Sequence, residues 1–290
     1  MKSILVIGAS SNLGYYLTKN LKGHYKIYGT FNKNSKKNIY CYKSFFLNAD
    51  ASISLIRQVL NFKPSVVIHC AAIASIEECE KNIHKAIKVN SLFPSKIAKV
   101  CKFLNIKFIF ISTDQLFKGD KVIYSESDMV YPLNSYAKSK VYAENFIFKN
   151  NRNSLVLRFS FIGKGPINGK NLFDFVYDNL TLNKEIYGYS DIFFTPISLN
   201  YFIFLIKKIL QKNIYGIYNL ASNSTISKLE LCKLIATRYN LNHKLIKETK
   251  YHLGRLKSSK IKRPRNMSLD ASKINKILGI TGKKFEQMNW

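Results

Sequence analysis

The chain has 290 residues, 47% of them apolar, so it can bury one large core or a main domain with a smaller one. No stretch approaches the roughly 20 apolar residues of a membrane helix, and the run SILVIGAS leads into a glycine turn rather than a cleavage site, so we expect a cytoplasmic protein without membrane insertion. The net charge of +29 invites a nucleic-acid interpretation, but the lysines are spread along the chain and accompany excess Asn, Ile, Tyr and Phe, which favours biased composition over nucleic-acid binding.

The five cysteines have no CxxC spacing, and Cys70 and Cys101 lie in segments of apolar periodicity. This pattern favours buried free thiols over disulfides or zinc ligands, and we expect no metal site. One dense basic run, RLKSSKIKRPR from Arg255 to Arg265, has two interpretations that the sequence leaves open. It is either solvated surface or a grip on a substrate's phosphates.

Short apolar runs rich in β-branched and aromatic residues alternate with segments of helical periodicity through the first half. Strands are predicted at 3–8, 25–30, 65–71, 107–112 and 154–160, with a helix over 12–21 and a polar loop after the second strand. Strands of unbroken apolar character separated by helices indicate a parallel sheet covered on both faces. We therefore predict an α/β fold with a doubly wound parallel sheet of the Rossmann type, whose ligands bind at the carboxyl ends of the strands.

The second half is less regular. Helices are predicted near 171–182, 198–212 and 227–239, with a short strand at 216–221. No Gly/Ser linker divides the halves. We predict a Rossmann domain over residues 1–160 and a smaller C-terminal α/β lobe for substrate, mainly from residues 161–290, with parts of that segment returning to the Rossmann sheet.

A glycine-rich segment, GASSNLG, joins the first strand to the first helix. A glycine permits the tight turn, the helix N-terminus offers N–H groups and a positive dipole to a pyrophosphate, and the last glycine lets helix and strand approach closely. Serine stands where loops of this type usually have a third glycine, and it is small enough to leave room for a phosphate. The alternative is an ordinary strand-to-helix turn. The dinucleotide contacts predicted here are Gly8, Ser11, Asn12, Leu13 and Gly14.

The segment TFNKNSKK after the second strand has no Asp or Glu to accept a hydrogen bond from a ribose 2′-hydroxyl. It offers Asn32 and Lys33 instead, and a cation at this place suits a 2′-phosphate. The segment therefore favours NADPH over NADH, although the general excess of lysine is an alternative explanation.

The segment YPLNSYAKSKVYAEN, residues 131–145, places Tyr136 four positions before Lys140. If Pro132 and Asn134 open a helix, the two side chains stack one turn apart on one face. The cation then favours the phenolate and makes the tyrosine a usable proton donor or acceptor near neutral pH. Tyr and Lys are both abundant in this chain, so the same spacing also arises by chance. A catalytic role for this pair requires evidence of a cofactor and of a carbonyl substrate.

Together with HCAA, VN, STDQLF, LRFSFIG, DIFFTP, YNLA and RPRNMSLD, these motifs occur in the order and at the spacing of extended short-chain dehydrogenases. Within that superfamily the chain resembles the dTDP-4-dehydrorhamnose reductase group of sugar-nucleotide reductases, over nearly its whole length. The resemblance implies NADPH-dependent reduction of a nucleotide-linked 4-keto-6-deoxy sugar in deoxysugar and surface polysaccharide biosynthesis, with NADH as an alternative cofactor. The partner is then a nucleotide-diphosphate sugar, and a homodimer is one option for the assembly.

The resemblance also implies roles for individual residues. Thr113 would hydrogen-bond the substrate carbonyl, Tyr136 would give it a proton, and Lys140 would bind the nicotinamide ribose and lower the pKa of the tyrosine. Further cofactor contacts implied are Asp50 near the adenine, Ala71 and Ala72 beneath the cofactor, and Asn90 in support of the lysine. Substrate contacts are expected from Thr113, Gln115, Phe161, Asn171 and Arg263.

The sequence differs at two positions from reductases that make dTDP-rhamnose, so the identity of the sugar stays open. Those reductases usually have an aromatic residue at the position of Gln115 and a glycine at the position of Phe194. Two other functions also stay open. A dehydratase or epimerase of the same superfamily is one, although dehydratases need an Asp-Glu pair after the threonine and here Gln115 follows Asp114. A non-catalytic NADP-binding regulatory subunit is the other, although such a subunit has no need of the tyrosine and lysine.

Overall fold

The computed structural model describes residues 1–32, 40–165, 171–251 and 261–290. Contacts along the chain divide it into two units. The first comprises Met1–Leu116, Asn134–Arg158 and Ile209–Tyr218, and the second comprises Phe117–Leu133, Phe159–Lys208 and Asn219–Trp290. The predicted boundary at residue 160, with parts of the later segment returning to the Rossmann sheet, stays a prediction, and the two units interleave along the sequence. The segment before the Tyr136 helix groups with the second unit, and a later segment returns to the first.

The strands are Ser3–Ile7 (β1), Lys26–Phe31 (β2), Lys43–Phe46 (β3), Val66–His69 (β4), Lys107–Ile111 (β5), Leu155–Arg158 (β6), Phe161–Ile162 (β7), Ile186–Tyr189 (β8), Phe193–Phe194 (β9), Ile197–Ser198 (β10), Gly216–Asn219 (β11), Ile226–Ser227 (β12), Ile246–Thr249 (β13) and Asn266–Met267 (β14). The α-helices are Asn12–Leu21 (α1), Ile53–Leu60 (α2), Ile76–Lys81 (α3), Ile83–Ile87 (α4), Phe93–Phe103 (α5), Ser135–Asn150 (α6), Leu172–Thr181 (α7), Leu199–Leu210 (α8), Lys228–Arg238 (α9) and Ser272–Leu278 (α10). A π-helical turn, Lys88–Leu92, joins α4 to α5.

The first unit is built on a seven-stranded sheet in the order β11-β6-β5-β4-β1-β2-β3. The pairings from β3 across to β6 are parallel. The direction of winding reverses between β1 and β4, and ligands of such sheets bind at the carboxyl edge beside that point. The predicted doubly wound α/β fold is therefore confirmed.

A buried core covers this sheet. Leu5, Val67 and Phe108 lie in neighbouring central strands and are fully buried, because both faces of the centre of a parallel sheet are covered. Burying each such side chain contributes about 1.5–3 kcal/mol. Helix residues that share the same cluster are Ile56 of α2, Ile97 of α5 and Ile147 of α6.

The sequence patterns located the other strands of this sheet but missed β3. It lies in the stretch predicted as a polar loop, and its four residues are exposed or half-buried. It pairs with β2 alone, at the edge of the sheet. An edge strand lacks the continuous apolar character by which the central strands are recognised, which explains the error.

The second unit contains smaller sheets. Strands β7 and β10 pair in parallel, β8 pairs in parallel with β13, and β9 lies between β12 and β14. The three helices predicted in this half are confirmed as α7, α8 and α9. Across the described ranges, no helix combines the length and the apolar character needed to cross a bilayer.

Candidate active site

The glycine-rich turn begins where β1 ends. Gly8 has φ +81°, in the left-handed region, and a Cβ there would lie 2.9 Å from Cα of Ala71. A Cβ on Gly14 would lie 2.2 Å from the carbonyl oxygen of Gly8. Both positions therefore require glycine, one for its conformation and its neighbour, the other for the close approach of helix to strand.

Ser11 occupies the place of the missing glycine and caps α1. Its Oγ accepts a hydrogen bond from the backbone N–H of Gly14 at 3.1 Å. Asn12 and Leu13 form the first residues of the helix. The N-terminus of α1 thus starts at the carboxyl end of β1, the position in which a helix dipole favours an anionic group.

The other residues predicted to contact the cofactor differ in their exposure and contacts, and one of them lies outside the described residues. Asn32 follows β2 and is exposed, whereas Lys33 lies outside the described residues, so the 2′-phosphate contact stays a prediction. Ala71 is half-buried beside Gly8, and Ala72 is exposed. Asp50 forms an exposed ion pair with Lys88, which lowers the pKa of the carboxyl.

The helix predicted around the tyrosine is confirmed as α6. Its N-cap is Asn134, whose Oδ1 accepts from the N–H of Ala137 at 2.9 Å. The N–H of Ser135 donates to Oε1 of Glu80 at 2.6 Å. Two of the orphan donors of the first turn are satisfied in this way, which fixes the start of the helix and hence the position of Tyr136.

Thr113 and Asp114 follow β5 at its carboxyl end, and both are buried. The Thr113 hydroxyl donates to Oδ1 of Asp114 at 3.2 Å and accepts from the N–H of Gln115 at 3.3 Å. The Thr113 side chain and the charge of Asp114 both act on the pKa of Tyr136, so the phenol lies near them. The predicted threonine and tyrosine are therefore brought together, although they are 23 positions apart in the sequence.

The protonation of Tyr136 differs from the sequence expectation. Burial raises the pKa of Tyr136 to about 12, and the charges of Asp114 and Cys79 act in the same direction. The neighbouring Thr113 hydroxyl lowers this pKa, but by less than burial raises it. Lys140 is not among the groups that shift this pKa, so the expected lowering by the lysine is wrong for the structure described.

The direction of the lysine side chain explains the difference. Nζ of Lys140 donates to the carbonyl oxygen of Ile111 at 2.6 Å and lies 4.0 Å from the ring centroid of Phe110. Lys140 is 2% exposed, and burial lowers its pKa to about 7. The ammonium group is therefore directed to the end of β5.

Asn90 lies in the π-helical turn and is fully buried. Its Oδ1 accepts from the N–H of Ile73 at 2.8 Å, and its Nδ2 donates to the carbonyl oxygen of Ile73 and to Oγ of Ser139, both at 3.0 Å. Ser139 precedes Lys140 in α6, so Asn90 ties the lysine's helix to the segment after β4. Sequence reasoning named Asn90 but had no signal for the π-helical turn, a feature often found at functional sites.

Sequence reasoning missed a buried ion pair behind the lysine. Arg158, the last residue of β6, donates from Nη2 to Oε2 of Glu144 at 2.6 Å, and both side chains are 4% exposed. The hydroxyl of Ser112 donates to Oε1 of Glu144 at 2.5 Å. Glu144 lies one further turn along α6 from Lys140, and that repeated spacing of four was the available signal.

His69, at the end of β4, was also missed. It is 1% exposed and contacts the rings of Phe93, Phe108 and Phe110. Neither ring nitrogen has a hydrogen-bond partner among the described residues. Burial, aided by the charge of Lys140, lowers the pKa of His69 to about 3, so the imidazole is uncharged at neutral pH.

The candidate substrate residues other than Thr113 and Gln115 belong to the second unit. Phe161 is half-buried in β7, Arg263 donates weakly to the carbonyl oxygen of Ile261 at 3.5 Å, and Phe194 is fully buried. Asn171 caps α7 by accepting from the N–H of Asp174 at 3.0 Å, and its amide donates to the carbonyl oxygen of Gly163 at 3.1 Å. Their roles toward a substrate stay predictions.

The basic run is only partly described. Residues 255–260 lie outside the described ranges, and residues 261–265 lie within them. Arg263 is half-buried and Arg265 is exposed. Among the described side chains, no group of His, Cys, Asp and Glu is arranged to hold a metal ion.

Comparisons with known proteins place these features in context. The family model of the RmlD substrate binding domain matches residues 1–288. The chain is 28% identical to the probable low-salt glycan biosynthesis reductase Agl14 of Haloferax volcanii, over 74% of this chain and 72% of that protein. It is 27% identical to methionine adenosyltransferase 2 subunit beta of Xenopus laevis, over 94% of this chain and 81% of that protein.

A solved structure has the same fold. The dTDP-4-dehydrorhamnose reductase of Bacillus anthracis, in complex with NADP, superposes with a TM-score of 0.84 at 24% identity. The match covers 99% of this chain and 97% of the other.

Proposed function

The chain belongs to the family of the RmlD substrate binding domain, and from this premise we propose that it reduces a nucleotide-linked 4-keto-6-deoxy sugar with NADPH. The reaction serves deoxysugar and polysaccharide biosynthesis. The similarity to a glycan biosynthesis reductase and to a dTDP-4-dehydrorhamnose reductase bound to NADP supports this assignment. The observation that carries it is the juxtaposition of Thr113, Tyr136 and Lys140 at the carboxyl end of β5.

The residues of the first unit fit a dinucleotide. The turn has no room for a Cβ at Gly8 or Gly14, and it delivers the N-terminus of α1 to the carboxyl end of β1, where a pyrophosphate would be stabilised by the helix dipole. Lys140 would hold the nicotinamide ribose. When bound, NADPH supplies the hydride that adds to the carbonyl carbon of the sugar.

Tyr136 and Thr113 act on the carbonyl oxygen. A phenol whose pKa is about 12 is protonated at neutral pH, which is the state a proton donor needs. As the carbonyl carbon gains the hydride, the oxygen gains negative charge and takes the phenolic proton, leaving an alcohol and a phenolate that recovers its proton from solvent. The Thr113 hydroxyl orients the oxygen toward the phenol.

Two other activities stay as alternatives. The chain is also similar to methionine adenosyltransferase 2 subunit beta, and a non-catalytic NADP-binding regulatory subunit stays an alternative, whereas the assembled tyrosine, threonine and lysine favour a reductase. A dehydratase is disfavoured because Gln115, which follows Asp114, cannot act as the second acid.

A cytoplasmic location agrees with five free cysteines, and we leave the homodimer as a proposal.

The test is a panel of nucleotide 4-keto-6-deoxy sugars assayed by the loss of NADPH absorbance. We expect turnover on at least one member of the panel. NADPH binding without turnover on any member would favour the regulatory subunit, and formation of a 4-keto-6-deoxy product from a nucleotide-glucose would favour the dehydratase.

A further inference from the structure

Helix α6 carries a third polar residue in line with the tyrosine and the lysine. Tyr136, Lys140 and Glu144 recur every four positions, so they form one stripe along the helix. Glu144 is 3% exposed, and its carboxylate is fixed from two other elements. Arg158 reaches it from the end of β6 through Nε and Nη2, and Ser112 reaches it from the end of β5.

Burial acts against the charge on Lys140, since an ammonium group in the interior loses its hydration. The negative charge of Glu144 acts in the opposite direction and favours the protonated lysine. Arg158 is needed for this effect because a buried carboxylate without a partner tends to take up a proton and lose its charge.

The other groups facing Lys140 supply no negative charge at neutral pH. From β4, His69 is uncharged because burial lowers its pKa to about 3. The neighbouring Cys70 is a neutral thiol because burial raises its pKa. From β5, the contacts are the carbonyl oxygen of Ile111 and the ring of Phe110. Among the described groups that act on the lysine, Glu144 is thus the source of negative charge.

We propose that Glu144, held by Arg158 and Ser112, is a positioning residue that favours the protonated form of Lys140. Its meaning for catalysis rests on the proposed function, in which Lys140 holds the cofactor ribose. The charge itself is a property of the folded first unit and can be measured without substrate or cofactor.

The experiment follows the lysine directly by NMR on protein carrying [6-¹³C]lysine. The Lys140 resonance is the one absent from Lys140→Met. We expect its titration midpoint to fall in Glu144→Gln by about one pH unit or more, the effect of losing a nearby opposite charge. The matched control is Glu78→Gln, which removes an exposed carboxylate paired with Lys85 and should leave the midpoint unchanged. An unchanged midpoint in folded Glu144→Gln would overturn the inference.

Breaking a buried ion pair is strongly destabilising, so Glu144→Gln on its own could fail to fold. The double variant Glu144→Gln with Arg158→Met removes both charges and leaves no uncompensated ion. It should fold and show the same direction of change in the Lys140 midpoint. A wild-type midpoint in the double variant would mean that the ion pair serves only to fasten α6 to the sheet.

An activity measurement separates this inference from the proposed function. If the lysine must be protonated, the high-pH limb of kcat/KM moves to lower pH in the Glu144 variant. A purely structural role would reduce the amount of folded protein without moving that limb. Should the NMR midpoint shift while no sugar is reduced, the inference stands and the proposed function fails. If a sugar is reduced while the Lys140 midpoint is unchanged in the Glu144 variant, the proposed function stands and the inference about Glu144 fails.

Discussion

At the residue scale, burial decides the protonation of the two residues proposed for catalysis. It raises the pKa of Tyr136 to about 12 and lowers that of Lys140 to about 7, which brings each closer to its uncharged form. The phenol of Tyr136 is therefore protonated at neutral pH. The lysine, by contrast, depends on its surroundings for its charge.

Replacement of Tyr136 by Phe removes one hydroxyl and leaves the packing of α6 in place. We expect turnover to fall about 10²- to 10⁴-fold, the usual contribution of a positioned general acid, with little change in NADPH affinity. Turnover is measured by NADPH absorbance and binding by NADPH fluorescence. Tyr142→Phe, at an exposed position of the same helix, is the control and should keep full turnover. Near-normal turnover in folded Tyr136→Phe would show that the tyrosine is structural.

Lys140→Met should change how stability depends on pH. The pKa of Lys140 is 10.5 in an ordinary environment and about 7 in the fold, so between these values the unfolded chain binds the proton and the folded chain does not. The unfolding free energy therefore rises with pH across this window, by up to about 1.4 kcal/mol per pH unit.

Urea unfolding between pH 7.5 and 9.5, followed by circular dichroism, measures this slope. It should be smaller in Lys140→Met than in the unmutated protein. Lys138→Met, on the exposed face of α6, should keep the original slope. Equal slopes in all three proteins would mean that Lys140 titrates in the fold as it does in water.

At the element scale, the ends of helices position the site. Ser11 begins α1, Asn134 begins α6, and the π-helical turn presents Asn90 to the helix of the lysine. At the start of α1 there is no room for a side chain at Gly14, because the helix backbone lies against the end of β1.

Gly14→Ala tests that close approach. The added Cβ would lie 2.2 Å from a backbone oxygen, so the helix must move away from the strand. We expect a loss of about 1–3 kcal/mol in unfolding free energy, typical of overpacking, together with weaker NADPH binding. Gly23→Ala is the matched control, since a Cβ at Gly23 meets nothing within 4 Å. Normal stability and NADPH affinity in Gly14→Ala would contradict the role assigned to this turn.

At the scale of the whole molecule, ionisable groups inside the core limit the pH range of stability. His69 is enclosed by phenylalanine rings without a hydrogen-bond partner among the described residues. A histidine in this position must be neutral for the sheet to stay packed.

The pKa of His69 is 6.5 in an ordinary environment and about 3 in the fold. Between these values the unfolded chain binds a proton that the folded chain rejects, so stability falls as the pH falls, by up to about 1.4 kcal/mol per pH unit. His69→Leu should flatten this acid limb of unfolding free energy against pH, whereas His84→Leu, at an exposed position, should not. An acid limb of the same slope in His69→Leu would exclude His69 as its cause.

Local patterns determined the α/β fold and much of the site. Apolar runs of strand length, the glycine turn and the spacing of Tyr136 and Lys140 are properties of neighbouring residues, and local sterics and periodicity act on them directly. The tertiary structure alone decided the grouping of Phe117–Leu133 with the second unit, the pairing of Glu144 with Arg158, the enclosure of His69 and the direction of the Lys140 ammonium group. Each of these depends on which distant strand ends meet and on how much water is excluded there. Such burial sets the pKa values of Tyr136 and Lys140, and no short stretch of sequence specifies how deeply a side chain is buried.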